Sequence, residues 1–173
     1  MTRKRCTKSS YGFTLLEILV VVIIMGILAI IIVPEVYFTQ RETQLNTLKT
    51  SLNNIRCAIE IYFHHHNTYP GVRDTKGDPV ANESQAGKAF IEQLTRYTDI
   101  NGEVSKIKTG TYKFGPYLKS DKLPLNPFNN DNAVLCDITT TDISARASDG
   151  SSGWKFYTKI GVLIANDGAH DDL

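Results

Sequence analysis

Motifs of catalysis are missing from this sequence. There is no G-x-S-x-G elbow, no H-E-x-x-H, no P-loop and no paired C-x-x-C. Their absence removes the common hydrolase, zinc-protease, nucleotide-binding and thiol-redox readings, and the chain is expected not to be an enzyme. An excess of one charge is missing too: 19 Lys and Arg stand against 18 Asp and Glu. No basic surplus marks nucleic acid as the main partner. Cysteine is scarce, and Cys6, Cys57 and Cys136 cannot build a disulfide-dense scaffold. No internal repeat and no low-complexity segment occur.

What is abundant lies near the start. Residues 12–34 read GFTLLEILVVVIIMGILAIIIVP, almost wholly apolar, with Glu17 the single charge. From Phe13 to Val33 a helix would measure about 31 Å, close to the roughly 30 Å hydrocarbon core of a bilayer. The run is rich in Val and Ile, but it is far too long for one strand. A helix apolar all round is a membrane span or a fully buried helix. Arg3, Lys4, Arg5 and Lys8 precede it with no acid among them, whereas Glu35, Arg41 and Glu42 follow. That bias places the N-terminus in the cytoplasm and the remaining chain outside. A secretory signal peptide would end in a small-residue cleavage site, and none follows the run. A carboxylate within such a segment costs roughly 2.5–3.5 kcal/mol on insertion scales. Glu17 is therefore read as functional, because a plain anchor gains nothing from it.

The helix is expected to continue past Pro34, which would kink it by removing a backbone bond. Beyond it Leu45, Leu48, Leu52, Ile55, Ile59 and Tyr62 recur at alternating spacings of three and four. That is one apolar stripe, suited to packing against a globular domain. Cys57 points almost opposite the stripe, so a bond to Cys136 in the head is disfavoured. The helix should stop near His66 or Asn67, since Tyr69 precedes Pro70. Asn82 with Gln85 three residues on reads as a cap for a short helix whose apolar face is Ala86, Phe90, Leu94 and Tyr97. Residues 98–110 read as turn and loop around Asn101-Gly102. Val134–Ile138 is a candidate strand, and Trp154–Thr158 with Val162–Ala165 a hairpin turning at Lys159-Ile160-Gly161.

The run Gly12-Phe13-Thr14-Leu15-Leu16-Glu17 resembles the processing site of type IV prepilins and type II secretion pseudopilins. Gly26 and Pro34 also fall where that family often has a Gly and a kinking Pro. The resemblance implies an α+β, pilin-like fold: a long N-terminal helix, its first half membrane-spanning, packed under a small antiparallel β-sheet head. It implies a basic leader at 1–12, a transmembrane and assembly helix at 13–34, its amphipathic continuation at 35–67 and a periplasmic head at 68–173. A membrane peptidase and methylase would cut between Gly12 and Phe13 and N-methylate Phe13. Glu17 of one subunit would then meet the Phe13 amine of a neighbour. Losing the leader's four basic residues leaves 15 against 18 acidic, a net −3 for the mature side chains. The implied partners are copies of the chain, other pilin-like subunits, the peptidase, an inner-membrane assembly platform and, before assembly, membrane lipid. Leu123-Pro124, Asn126-Pro127-Phe128 and Gly153-Trp154 resemble pseudopilins more than adhesive pilins, and the C-terminal cysteine pair of many type IV pilins is missing. A secretion pseudopilin is thus the first reading. A type IV pilin and a single-pass anchored binding module are the alternatives.

Two clusters invite a metal. His64-His65-His66 cannot converge on one ion, because adjacent helical residues diverge by about 100°, and they read as a solvated helix end. Asp131, Asp149, Asp167 and Asp171 stand in loops rich in Asn and Gly. Pseudopilins of the resembled family often bind calcium in a C-terminal loop. None of these runs matches that loop or the twelve-residue EF-hand spacing, and Asp and Asn are ordinary turn residues. No cofactor is expected, with calcium on those four aspartates as the alternative.

Overall fold

The computed structural model describes residues 12–173, and their side chains except those of residues 31–38. Helix α1 runs Leu15–His66. Thr14 caps it: the Glu17 amide donates to Thr14 Oγ1 at 3.2 Å, and the Ile18 amide to the Thr14 carbonyl at 3.3 Å. Thr14 and Glu17 have the spacing of a capping box, in which the cap hydroxyl satisfies an amide the helix cannot. At the other end Asn67 takes a φ of +53° while its amide closes onto Phe63 at 2.8 Å. Asn tolerates this left-handed conformation better than most residues, so the helix stops there.

The chain divides into two compact units, one ending at Glu42 and the other running Thr43–Leu173. In the first, every large apolar residue from Phe13 to Ile30 is exposed, by 43% to 86%. No helix among the described residues is long and apolar enough to cross a membrane. The apolar run was measured on the sequence, and the side chains of its last residues lie outside those described. Pro34 falls within α1, but the kink expected there also lies outside the described residues, as does the leader up to residue 11.

The second unit is built on the stripe of α1. Leu48, Leu52, Ile55, Ile59 and Tyr62 are buried, and Leu45 is half-buried. Burial of one such side chain contributes about 1.5–3 kcal/mol before entropy is counted. Against the stripe lie Phe90 and Leu94 from helix α2, Glu83–Thr95, and Trp154, Phe156 and Leu163 from a sheet. Asn82 caps α2, accepting from the Gln85 amide at 2.9 Å. The Gln85 side chain returns to the amide of Ala81, one residue before the cap. Tyr97 is not on the helix face expected for it. The helix ends at Thr95, and Tyr97 opens β1, Tyr97–Thr98, which pairs antiparallel with β2, Val104–Ser105. Two-residue strands are too short for alternation to reveal them.

The main sheet contains β3, Val134–Asp137, β4, Trp154–Tyr157, and β5, Val162–Ala165, in that order. β4 and β5 form the hairpin, with Trp154 opposite Ala165 and Tyr157 opposite Val162. Gly161 turns it at φ +69°, and a Cβ there would overlap the Tyr69 ring. The sheet is not wholly antiparallel. β3 runs parallel to β4, Val134 opposite Trp154. Residues 138–153, including a short 3₁₀ turn at Ile143–Ala145, are long enough to carry the chain back to the same end, as a parallel pair requires.

Candidate assembly site

The N-terminal segment has two parts. Gly12, Phe13 and Thr14 precede the helix. Phe13 is 75% exposed, and a Cβ on Gly12 would meet nothing within 4 Å. The Gly12–Phe13 peptide thus lies outside helical structure, open on its sides. Glu17 is exposed in the first turn, where the positive end of the helix dipole favours a carboxylate. Glu17 therefore has a local reason to be tolerated, which the hydropathy of the run does not reveal.

The far end of α1 differs from expectation. His64 and His65 are exposed, but His66 is buried. Its ring stacks on Tyr62 at 4.1 Å. Nδ1 lies 3.3 Å from the Ile100 carbonyl, and Nε2 lies 3.1 Å from both the Tyr117 and Thr98 hydroxyls. The Ile100 carbonyl can only accept, which assigns the proton to Nδ1 and leaves Nε2 to accept. Desolvation lowers the His66 pKa, against a smaller upward pull from the Ile100 hydrogen bond. The helix end is docked rather than solvated, because the β1–β2 hairpin folds over it.

The two head-side cysteines are free, Cys57 exposed and Cys136 buried. Burial, and then the nearby Glu83 charge, pushes the Cys136 thiol up to about 12, which leaves it protonated and inert.

Three polar residues whose buried structural role the sequence does not reveal organise the head. Gln93, fully buried, accepts from the Gly71 amide at 2.8 Å and donates to the Gly102 carbonyl at 3.0 Å. Asn126 and Asn166 are equally buried and bind the acidic loops together. Asn126 Nδ2 donates to the Gly153 carbonyl and to Asp167 Oδ2, both at 3.0 Å. Asn166 Nδ2 reaches Asp149 Oδ1 at 2.8 Å. The loops of Asp149, Asp167 and Asp171 are thereby neighbours: the Ser148 amide also donates to Asp171 at 3.2 Å. Asp131 joins through its backbone, its carbonyl accepting from the Asn126 amide at 2.9 Å. Burial raises and hydrogen bonds lower the Asp167 pKa, and the donors of Asn126, Ala169 and His170 prevail. Among the described residues no three His, Cys, Asp or Glu side chains are grouped to hold a metal ion.

The head geometry also joins sequence pieces far apart in the chain. Trp154 Nε1 donates to the Pro124 carbonyl at 2.9 Å, close to the Asn126–Gly153 bond. Leu123-Pro124, Asn126 and Gly153-Trp154 thus form one structural unit.

The family model described as the prokaryotic N-terminal methylation motif matches residues 7–33. Type II secretion system core protein G of Escherichia coli strain K12 is 32% identical over 151 residues, covering 86% of this chain and 89% of that protein. The chain belongs to the core protein G family of pseudopilins. Core protein G of Vibrio cholerae is 28% identical over 144 residues, 82% of this chain and 83% of the relative. That of Pseudomonas aeruginosa is also 28% identical, over 82% and 86%. No solved structure matches the chain. The family assignment favours the secretion pseudopilin over the type IV pilin and the anchored binding module, and it is an assignment to a structural subunit.

Proposed function

We propose that this pseudopilin is stored in the inner membrane through residues 13–33, with its head in the periplasm, and is drawn into a filament that promotes protein secretion. The observation that carries this reading is the methylation motif at residues 7–33 on a chain that aligns with core protein G along 86% of its length. The exposed apolar side chains from Phe13 to Ile30 support it. A surface of that size needs lipid or other subunits to cover it.

Processing creates the charge that Glu17 lacks. Cleavage between Gly12 and Phe13 would free a cationic amine at Phe13. An unpaired charge in an apolar setting is costly, and pairing removes much of that cost. Glu17 of one subunit meeting the Phe13 amine of the next would set their register, as a single buried polar group does in coiled coils. The peptidase that cuts and methylates, the assembly platform and other pilin-like subunits are the partners this route requires.

The test is intact-mass and N-terminal analysis of the full chain from cells with and without the prepilin peptidase. The expected mature chain begins at N-methylated Phe13 only when the peptidase is present. A membrane-inserted chain that keeps residues 1–12 in peptidase-containing cells overturns the proposal.

A further inference from the structure

Calcium is the group that the resembled family implies for the C-terminal loops. The ion takes six to eight oxygen ligands, each offering a lone pair. The surroundings of the candidate aspartates offer protons instead. Asp149 Oδ1 accepts from the Ser151 amide at 2.9 Å, from Ser151 Oγ at 2.5 Å and from Asn166 Nδ2 at 2.8 Å. Its other oxygen faces the Lys155 ammonium at 3.5 Å. Asp167 Oδ1 is engaged by the amides of Ala169 and His170 and by the His170 ring, at 3.0 to 3.1 Å. Asp167 Oδ2 is engaged by Asn126 Nδ2. Asp131 Oδ1 accepts from the Ala133 amide at 2.9 Å, closing a turn.

The two asparagines are engaged at both ends of their amides. Asn126 Oδ1 accepts from the Phe128 amide at 3.0 Å. Asn166 Oδ1 accepts from the Asp149 amide at 2.9 Å and from Ser148 Oγ at 3.2 Å, and its Nδ2 also reaches Ser152 Oγ at 2.8 Å. Among the described residues, no buried side-chain nitrogen or oxygen is left without a partner. A divalent ion seated here would compete with the Lys155 ammonium and with the buried amide donors of Asn126 and Asn166, and each buried donor it displaced would lose its partner. The donor set does not fit the ion.

We infer that the amides of Asn126 and Asn166, not a divalent cation, clamp the three C-terminal acidic loops, so that the head of this pseudopilin is stable without calcium. Asn166 is the keystone, because it holds the 148–152 loop on both its carboxylate and its amide sides. Lys155 supplies the positive charge beside Asp149 that a cation would otherwise bring.

Trp154 is the sole tryptophan and lies in the core, so its near-ultraviolet signal reports head folding. Thermal unfolding of the detergent-solubilised full chain should be compared in EGTA and in millimolar calcium chloride. The expected melting temperatures coincide, and calorimetric titration with calcium shows no saturable heat. Asn166→Ala should melt lower by the same amount in both buffers. A wild-type melting temperature that climbs with calcium, or a saturable calcium isotherm, overturns the inference. So does an Asn166→Ala chain that melts as wild type does. The wild-type comparison decides the matter even if the variant fails to fold.

Discussion

Arg56 on α1 holds the carbonyl of Leu163 on β5 with two nitrogens, Nε at 3.2 Å and Nη2 at 2.8 Å. The same Nη2 reaches the Leu173 carbonyl at 2.6 Å. A cation thus sits at the margin of the apolar stripe and ties the long helix to the last strand. Burial lowers the Arg56 pKa, with the Arg146 charge a smaller cause, yet guanidinium stays charged in proteins.

Arg56→Met keeps the aliphatic stem and removes the forked donor. Hydrogen bonds to charged groups contribute about 1.5–3 kcal/mol, and the head is expected to lose stability of that order in urea unfolding. Arg56→Lys should recover less than half of it, since a single ammonium cannot reproduce the fork. Full recovery by Lys would contradict the clamp.

His66 makes head stability depend on pH. Its folded pKa lies below the ordinary imidazole value of 6.5. Above that value both folded and unfolded chains carry a neutral ring, and the contribution is intact. As pH falls below it, the unfolded chain takes up a proton that the folded chain still refuses, so stability falls. The loss levels off once pH passes the lower, folded value. The urea midpoint should therefore drop on acidification from neutral, and His66→Phe, which keeps a ring against Tyr62, should flatten the profile. An equal slope in the variant would remove His66 as the cause.

Gly161→Ala tests the hairpin turn. At φ +69° a left-handed conformation costs an ordinary residue about 1–2 kcal/mol, and overlap with the Tyr69 ring adds to it. A melting temperature well below wild type is expected, with Gly150→Ala milder, because its Cβ would meet only the Asp167 backbone at 4.0 Å. Equal effects at the two positions would deny the Tyr69 contact its role.

Glu17→Ala separates insertion from assembly. Removing the carboxylate eases membrane entry, so carbonate-resistant membrane association is expected to persist. Filament formation, scored by microscopy of cells overproducing the secretion system, is expected to fall by tenfold or more, on the order of the 1.4 kcal/mol per factor of ten that one lost charge pair readily exceeds. Normal filaments from this variant would end the register hypothesis.

Much of this protein was legible because its signals are local. The apolar run, the Asn82 cap, the stripe from Leu48 to Tyr62 and the turn at Gly161 each depend on residues within a few positions of one another. Periodicity of three and four marks a helix face wherever the chain goes. The methylation motif is likewise contiguous. The β1–β2 pair escaped detection because two residues cannot show a period. His66 read as solvated for a related reason: a histidine at a helix end says nothing of the hairpin that will cover it.

By itself, then, the sequence determined the helix and its uncovered apolar start, the capped second helix, the closing hairpin and the family to which the chain belongs. Only the tertiary structure decided that β3 lies parallel to β4, that His66 is buried, and that the buried Asn126 and Asn166 amides reach the carboxylates of Asp167 and Asp149. The physical reason is that apolar burial follows residue type, which is written in the sequence. Burial of a polar group follows its hydrogen-bond partners, and those of Asn126 include Gly153 and Asp167, which only folding brings near.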